Sequence, residues 1–199
     1  MKIVVILGST RPGRVGDRVC RFVMDKAALV DGAGFAVLDL ADHPMPFFDE
    51  PLAPLANADR RPSAAVRTWL TAMAAADAYV FVTPEYNHAP PAALKNALDF
   101  LATEAAGKPA SIVSYSTTAH GGALAGEQLR LALSKAGMLP LPKSLPLAHA
   151  DRLLGPTGEL VERSDRARRI AEFVPASLRD LVNHTRALKT LAEAAPSGH

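Results

Sequence analysis

With 199 residues, 49% of them hydrophobic, the chain can bury one sizeable core but not two comfortable domains. Its formal net charge of +2 and 21% charged residues lack the basic excess of a nucleic-acid-binding protein, and no apolar run reaches the roughly 18 residues of a membrane span. Cys20 is the only cysteine, which excludes an internal disulfide and sets the expectation of a reducing, cytoplasmic setting, and the six histidines are scattered without metal-ligand spacing.

The chain alternates short β-rich runs with longer helical patterns. Lys2 to Leu7 reads as a first strand, β-branched and continuous, hence buried on both faces rather than the start of a signal peptide. Arg14 to Val30 reads as a helix, and Phe35 to Leu40 as a second strand. Ala41 to Arg61, rich in Pro, Phe and Asp, is long for a connection, which makes it a candidate binding or interface loop. Ser63 to Ala76 follows as a helix with Ser63 as cap, and Trp69 on it suits packing or an oligomer interface. Ala78 to Thr83 is a third strand, Pro91 to Ala102 a helix, and Pro109 to Tyr115 a fourth strand. Gly122 to Ala136 is a helix stopped by Gly137. Met138 to Leu147, broken by Pro140 and Pro142, holds a weaker fifth strand. Ser164 to Leu191 is helical, with Pro175 expected to kink or split it, and residues 192–199 read as a frayed tail.

Strand–helix alternation of this kind implies a doubly wound α/β fold: a five-stranded parallel sheet with helices on both faces. Ligands of such sheets bind beyond the carboxyl ends of the strands, where strand order reverses. The loops after strands one, three and four are therefore the places to look for function.

The first of these reads Gly8-Ser9-Thr10-Arg11-Pro12-Gly13-Arg14-Val15-Gly16-Asp17. Between a strand and a helix, its amides can converge on an anion with help from the helix dipole. Ser9 and Thr10 offer hydroxyls, and Arg11 and Arg14 offer forked, charged donors. Arg14 and Val15 stand where a Walker A loop needs Lys then Ser or Thr, and Thr10 stands where a dinucleotide fingerprint needs its second glycine. A monophosphate held by hydroxyls, amides and arginine remains, against the plainer reading of a turn with two solvated arginines. The loop after strand three, Thr83-Pro84-Glu85-Tyr86-Asn87-His88-Ala89-Pro90-Pro91, is polar, aromatic and stiffened by proline. It suits a flat heteroaromatic ligand, although a simple turn and helix start would use the same residues.

Taken together, Leu7-Gly8-Ser9-Thr10-Arg11-x-Gly13-Arg14, Pro84-Glu85-Tyr86-Asn87 and Leu94-Lys95-Asn96-Ala97-Leu98-Asp99 resemble the NAD(P)H-dependent FMN reductase family. The resemblance extends to Asp39-Leu40, Pro46-Phe47-Phe48-Asp49-Glu50, Ser114-Tyr115 and Gly121-Gly122, in order over roughly residues 1–150. That family includes quinone, azo-dye and chromate reductases on a flavodoxin-like fold, which makes residues 1–191 a single FMN-binding domain. The resemblance implies that Ser9, Arg11 and the segment Arg14, Val15 and Gly16 hold the FMN phosphate, with Thr10 beside them. It implies that Pro84, Glu85, Tyr86 and Asn87 line the isoalloxazine ring, and that Ser114, Tyr115, Gly121 and Gly122 close its other side. Homodimers or homotetramers are the implied assemblies. Two departures stand out. Many relatives have Ser or Thr near Gly16 or Asp17, and Asp17 brings negative charge toward the phosphate loop unless it pairs with Arg14 or Arg18. The Ser114 to Gly122 loop is slightly long and carries His120.

The implied chemistry moves hydride from NADH or NADPH to FMN and on to a small acceptor: a quinone, free flavin, azo dye or metal oxyanion. No dedicated catalytic side chain is expected, because the flavin carries the hard step. His88 and His120 are read as solvated loop histidines, with proton donation to a reduced acceptor as the alternative. Cys20 is read as a small core residue. A non-enzymatic flavodoxin-like electron carrier and a flavin-binding regulatory module are the competing functions.

Overall fold

A computed structural model describes residues 1–194. Its strands and helices follow the sequence in order: β1 (Lys2–Leu7), α1 (Gly16–Ala27), β2 (Gly34–Asp39), α2 (Ala64–Ala75), β3 (Ala78–Pro84), α3 (Ala92–Asp99) and β4 (Pro109–Tyr115). Then come α4 (Ala123–Lys135), β5 (Leu139–Pro140), β6 (Leu145–Leu147), a single turn α5 (Ala150–Leu153) and the long α6 (Asp165–Ala194).

All strand pairings are parallel, in the order β2-β1-β3-β4-β5, with β6 also paired to β4. The expected fifth strand is therefore present but broken in two. Leu139 aligns with Pro109 and Leu145 with Val113, so both fragments track one edge of β4. Pro140 and Pro142 cannot donate to the ladder, which is why the edge is interrupted between them and Leu145.

Side chains alternate across the sheet as a pleated strand requires. Ile3, Val5, Leu7, Val80, Val82 and Val113 pack under α1 and α6, while Val4, Ile6, Tyr79, Phe81 and Ile112 pack under α2, α3 and α4. Both faces are covered, and the central strands are apolar throughout for that reason. Trp69 is fully buried on the second face and donates from Nε1 to the Ala97 carbonyl at 2.9 Å, tying α2 to α3. Its role is packing.

Helix ends follow local chemistry. Ser63 caps α2 by accepting from the Val66 amide at 3.4 Å, and Ser164 accepts from the Ala167 amide at 3.2 Å at the start of α6. Pro175 lies within α6 without splitting it. Of the expected frayed tail, residues 192–194 belong to α6, which runs to Ala194; residues 195–199 lie outside the described residues. The Ala41 to Arg61 connection holds two short 3₁₀ turns and is pinned to the third helix. The Asn96 side chain accepts from the Phe48 amide and donates to the Pro46 carbonyl, both at 2.8 Å.

Candidate active site

The strand order 2-1-3-4-5 places its reversal between β1 and β3, and a crevice at such a point is where doubly wound sheets bind ligands. A cavity of about 550 Å³ opens there, lined by Arg11 to Val15, Pro84 to His88 and Tyr115 to Thr118. The three loops singled out in the sequence thus meet at one place.

The first loop ends in an uncapped helix. Gly13 takes a φ of +66°, turning the chain after Pro12, and α1 begins at Gly16 rather than at Arg14. Val15 occupies the N-cap position and no side chain caps the helix, so its first amides are open to an anion. Ser9 is fully buried; its Oγ lies 2.8 Å from Tyr86 Oη and accepts from the Arg11 amide at 3.3 Å. Ser9 therefore ties the first loop to the second.

The two arginines have different situations. Arg14 forms a two-point pair with Asp39, bonds Asp17 Oδ1 through Nε at 2.8 Å, and donates to the Ser9 carbonyl. The Asp39 carboxylate, in hydrogen-bond contact, raises the Arg14 pKa above its already high ordinary value; burial opposes this and Asp17 adds to it. Arg14 thus braces the loop, and Asp17 is neutralised by it. Arg11 is exposed, and its side chain makes no hydrogen bond or ion pair among the described residues. It is the cation left available at the cavity.

The second loop is a two-residue hairpin. Tyr86 and Ala89 exchange backbone hydrogen bonds at 2.9 and 3.0 Å, and Asn87 and His88 between them have φ of +50° and +65°. Positive φ at both central positions is the requirement of a type I′ turn, and asparagine tolerates it well. Glu85 does not simply face the cavity. Its Oε2 accepts from the Ala125 amide in the first turn of α4 at 3.2 Å, and its Oε1 contacts His88 Nδ1 at 3.1 Å.

In the third loop Tyr115, Ser116, Thr117 and Thr118 line the cavity, whereas Ser114, Gly121 and Gly122 are not among its lining residues. Ser114 donates to the Gly121 carbonyl at 3.0 Å. Gly122, at φ +75°, initiates α4, and a Cβ there would lie 2.8 Å from the Tyr115 carbonyl oxygen. The glycine pair is required for close packing of backbone on β4 and β6. Thr10 lines a separate cleft of about 280 Å³ with His43 and Asn96. Tyr115 contributes to the cavity wall, but its Oη is buried without a partner against Gly16, where a Cβ would collide with it. Burial pushes this phenol well above its ordinary range, so it stays protonated. Ser116 to Thr118 carry no individual signal in the sequence beyond membership of a polar loop after a buried strand.

The model of the NADPH-dependent FMN reductase family matches residues 1–152, which contain every segment of this site. The chain belongs to that family. An NAD(P)H-dependent FMN reductase of Schizosaccharomyces pombe is 40% identical over 129 residues, covering 65% of this chain and 64% of the relative. The chain thus spans just under two thirds of that relative's length. A quinone reductase of Escherichia coli K12 is 31% identical over 169 residues, covering 82% of this chain and 86% of the relative. Among solved structures, the flavoenzyme NAD(P)H:(acceptor) oxidoreductase FerB from Paracoccus denitrificans superposes with a TM-score of 0.73 at 23% identity. That match covers 94% of this chain and 97% of FerB and supports the flavodoxin-like fold of this family member.

Proposed function

We propose that this FMN reductase family member binds FMN in the cavity at the β1/β3 reversal and passes reducing equivalents from NAD(P)H to a small acceptor. The observation that carries the proposal is the convergence of an uncapped helix N-terminus, an unpaired arginine and a rigid hairpin on one cavity. A phosphate monoester fits the amides of α1 and the Arg11 guanidinium. A flat ring fits beside the hairpin, where Asn87 and His88 form a left-handed pair closed by the Tyr86–Ala89 backbone hydrogen bonds. Tyr86, fixed through Ser9, joins the two halves of the site. Bound FMN would supply the capacity to accept and return a hydride. The protein's own work is to bind, orient and shield, so no side chain need act as general acid or base.

Membership of the family supports assembly into a homodimer or homotetramer. No helix among the described residues is long and apolar enough to cross a membrane, in keeping with the cytoplasmic setting inferred from the single cysteine. The test is FMN titration followed by anaerobic addition of NADPH and, separately, NADH. Quenched flavin fluorescence and then bleaching of the flavin band are expected. Absence of FMN binding would overturn the proposal; binding without bleaching by either donor would favour an electron carrier or regulatory module.

A further inference from the structure

Three non-glycine residues among the described residues have positive φ. Asn87 and His88 line the cavity; His149, at φ +50°, does not. A left-handed backbone costs a residue with a side chain free energy, so the surroundings must hold it. At His149 it turns the chain from β6 into α5, and the turn meets three consecutive carbonyls of the third loop. The Ala150 amide donates to Ser116 at 3.0 Å and the His149 amide to Thr118 at 3.1 Å. Between them, the His149 ring Nδ1 lies 2.9 Å from the Thr117 carbonyl oxygen. A carbonyl oxygen only accepts, so the ring is the donor in that contact. The Ser116 amide donates back to the Leu147 carbonyl at 3.3 Å.

The two sides of this clasp differ in burial. Leu147, Ala150 and Leu153 belong to the core, and Arg166 and Arg18 donate to the carbonyls of Ala148 and Asp151. Thr117, Thr118, Ala119 and His120 are exposed. A tip of small exposed residues ordinarily keeps its conformational freedom, which costs free energy to remove when a ligand binds. Here its carbonyls are tied to a close-packed frame, and Ser116 to Thr118 line the cavity on the other side. We infer that His149 is a positioning residue of the ligand site: acting through the Thr117 carbonyl, it holds the third loop in the form that receives a flavin ring. The inference rests on the reading of the cavity as a flavin site with this loop beside the ring. By linkage, a clasp that favours the bound ring is itself favoured by the ring to the same degree.

The experiment uses the full chain and titrates FMN and lumiflavin, the same ring without the ribityl phosphate, well below each protein's melting midpoint. His149→Gly permits the positive φ and removes the ring donor. His149→Asn also tolerates positive φ, and its side-chain amide can donate from the place of Nδ1. The glycine variant should bind FMN and lumiflavin more weakly by the same factor, about three- to tenfold, the effect of one neutral hydrogen bond. The asparagine variant should restore both to within about twofold of wild type. A role in stability alone would lower the midpoint and leave both affinities of the folded protein unchanged; that result, a loss confined to FMN, or no rescue by asparagine would overturn the inference. Amide exchange on the wild type tests it without any variant. Saturating FMN should slow exchange at His149 and Ala150 about three- to tenfold, although neither lines the cavity. Unchanged exchange with FMN bound would overturn the inference and leave the flavin reading standing. Failure of the wild type to bind either flavin would remove both.

Discussion

The two arginines of the first loop allow the phosphate site to be tested by contrast. Arg11 is exposed and unpaired, so replacing it with alanine leaves no carboxylate stranded. Its loss removes one hydrogen bond to a charged group, worth about 1.5–3 kcal/mol. Exposure and ionic screening place the effect at the lower end, about a tenfold rise in the FMN dissociation constant. Arg14 differs: its side chain is 11% exposed and Asp39 is 20% exposed, with Asp17 as a further partner. Arg14→Ala leaves these carboxylates unpaired. Breaking a fully buried pair costs about 3–5 kcal/mol, and partial exposure reduces that to about 2–3. For a chain of this size such a loss lowers the melting midpoint by about 4–12 °C.

The assay measures FMN and riboflavin affinity side by side by fluorescence quenching, with melting curves for each variant. Riboflavin lacks the phosphate, so Arg11→Ala should weaken FMN and leave riboflavin unchanged, and the FMN effect should shrink as salt is raised. Arg14→Ala should weaken both ligands together and lower the midpoint, because it loosens the loop. An Arg11→Ala protein with wild-type FMN affinity would refute the phosphate assignment. An Arg14→Ala protein that is fully stable but selectively impaired for FMN would show that Arg14 binds phosphate directly.

Other expectations follow from buried groups. Burial pushes the Cys20 thiol up to about 11, with Asp39 and Asp17 adding to the effect, so a maleimide at neutral pH should label it only after denaturant is added. Asp77 is partly desolvated, yet the Lys189 ammonium and the Lys2 amide outweigh this and hold its carboxyl below the ordinary carboxylate range. A lowered folded-state pKa contributes stability above the unfolded value that is lost as pH falls through the folded one, so the acid-side loss seen in wild type should be smaller in Asp77→Asn. Tyr115→Phe removes a buried hydroxyl without a partner and should be neutral or stabilising by about 1 kcal/mol in thermal melts. Gly16→Ala should destabilise by about 1–3 kcal/mol, and less in the Tyr115→Phe background, because the nearest clash is with the Tyr115 hydroxyl.

The location of the site was legible because it depends on periodicity. Buried β-branched runs followed by polar loops and amphipathic helices identify the strand ends, and the fold brings those ends together. The break in the fifth strand was legible from Pro140 and Pro142. The orientation of Arg14 was not, since its main partner lies far along the chain. Asp39 comes alongside only through the β1–β2 register, in which it aligns with Leu7. That Gly121 and Gly122 sit against the backbone of Tyr115 and of Pro146 to Ala148 depends on contacts between distant segments and was not legible. Glu85 as a brace for α4 depends equally on a contact between distant segments. The turn α5 has no periodicity to read, with four residues entered through a left-handed His149.

Under the proposed function, these contacts would let a chain with a net charge of only +2 select a phosphate. The charge of Arg14 is consumed by Asp39 and Asp17, so it contributes shape to the loop rather than potential to the cavity. What remains for an anion is Arg11 and the open amides at the start of α1. Amides carry no titratable proton, and their orientation is fixed by the helix, so they would hold a phosphate without reorganisation and across a wide pH range. The exposed Arg11 guanidinium would supply the salt-sensitive part of that affinity. In this division the carboxylates of Asp17 and Asp39 would not oppose an anion at the loop: they hold Arg14, which gives the loop the form in which its amides would act.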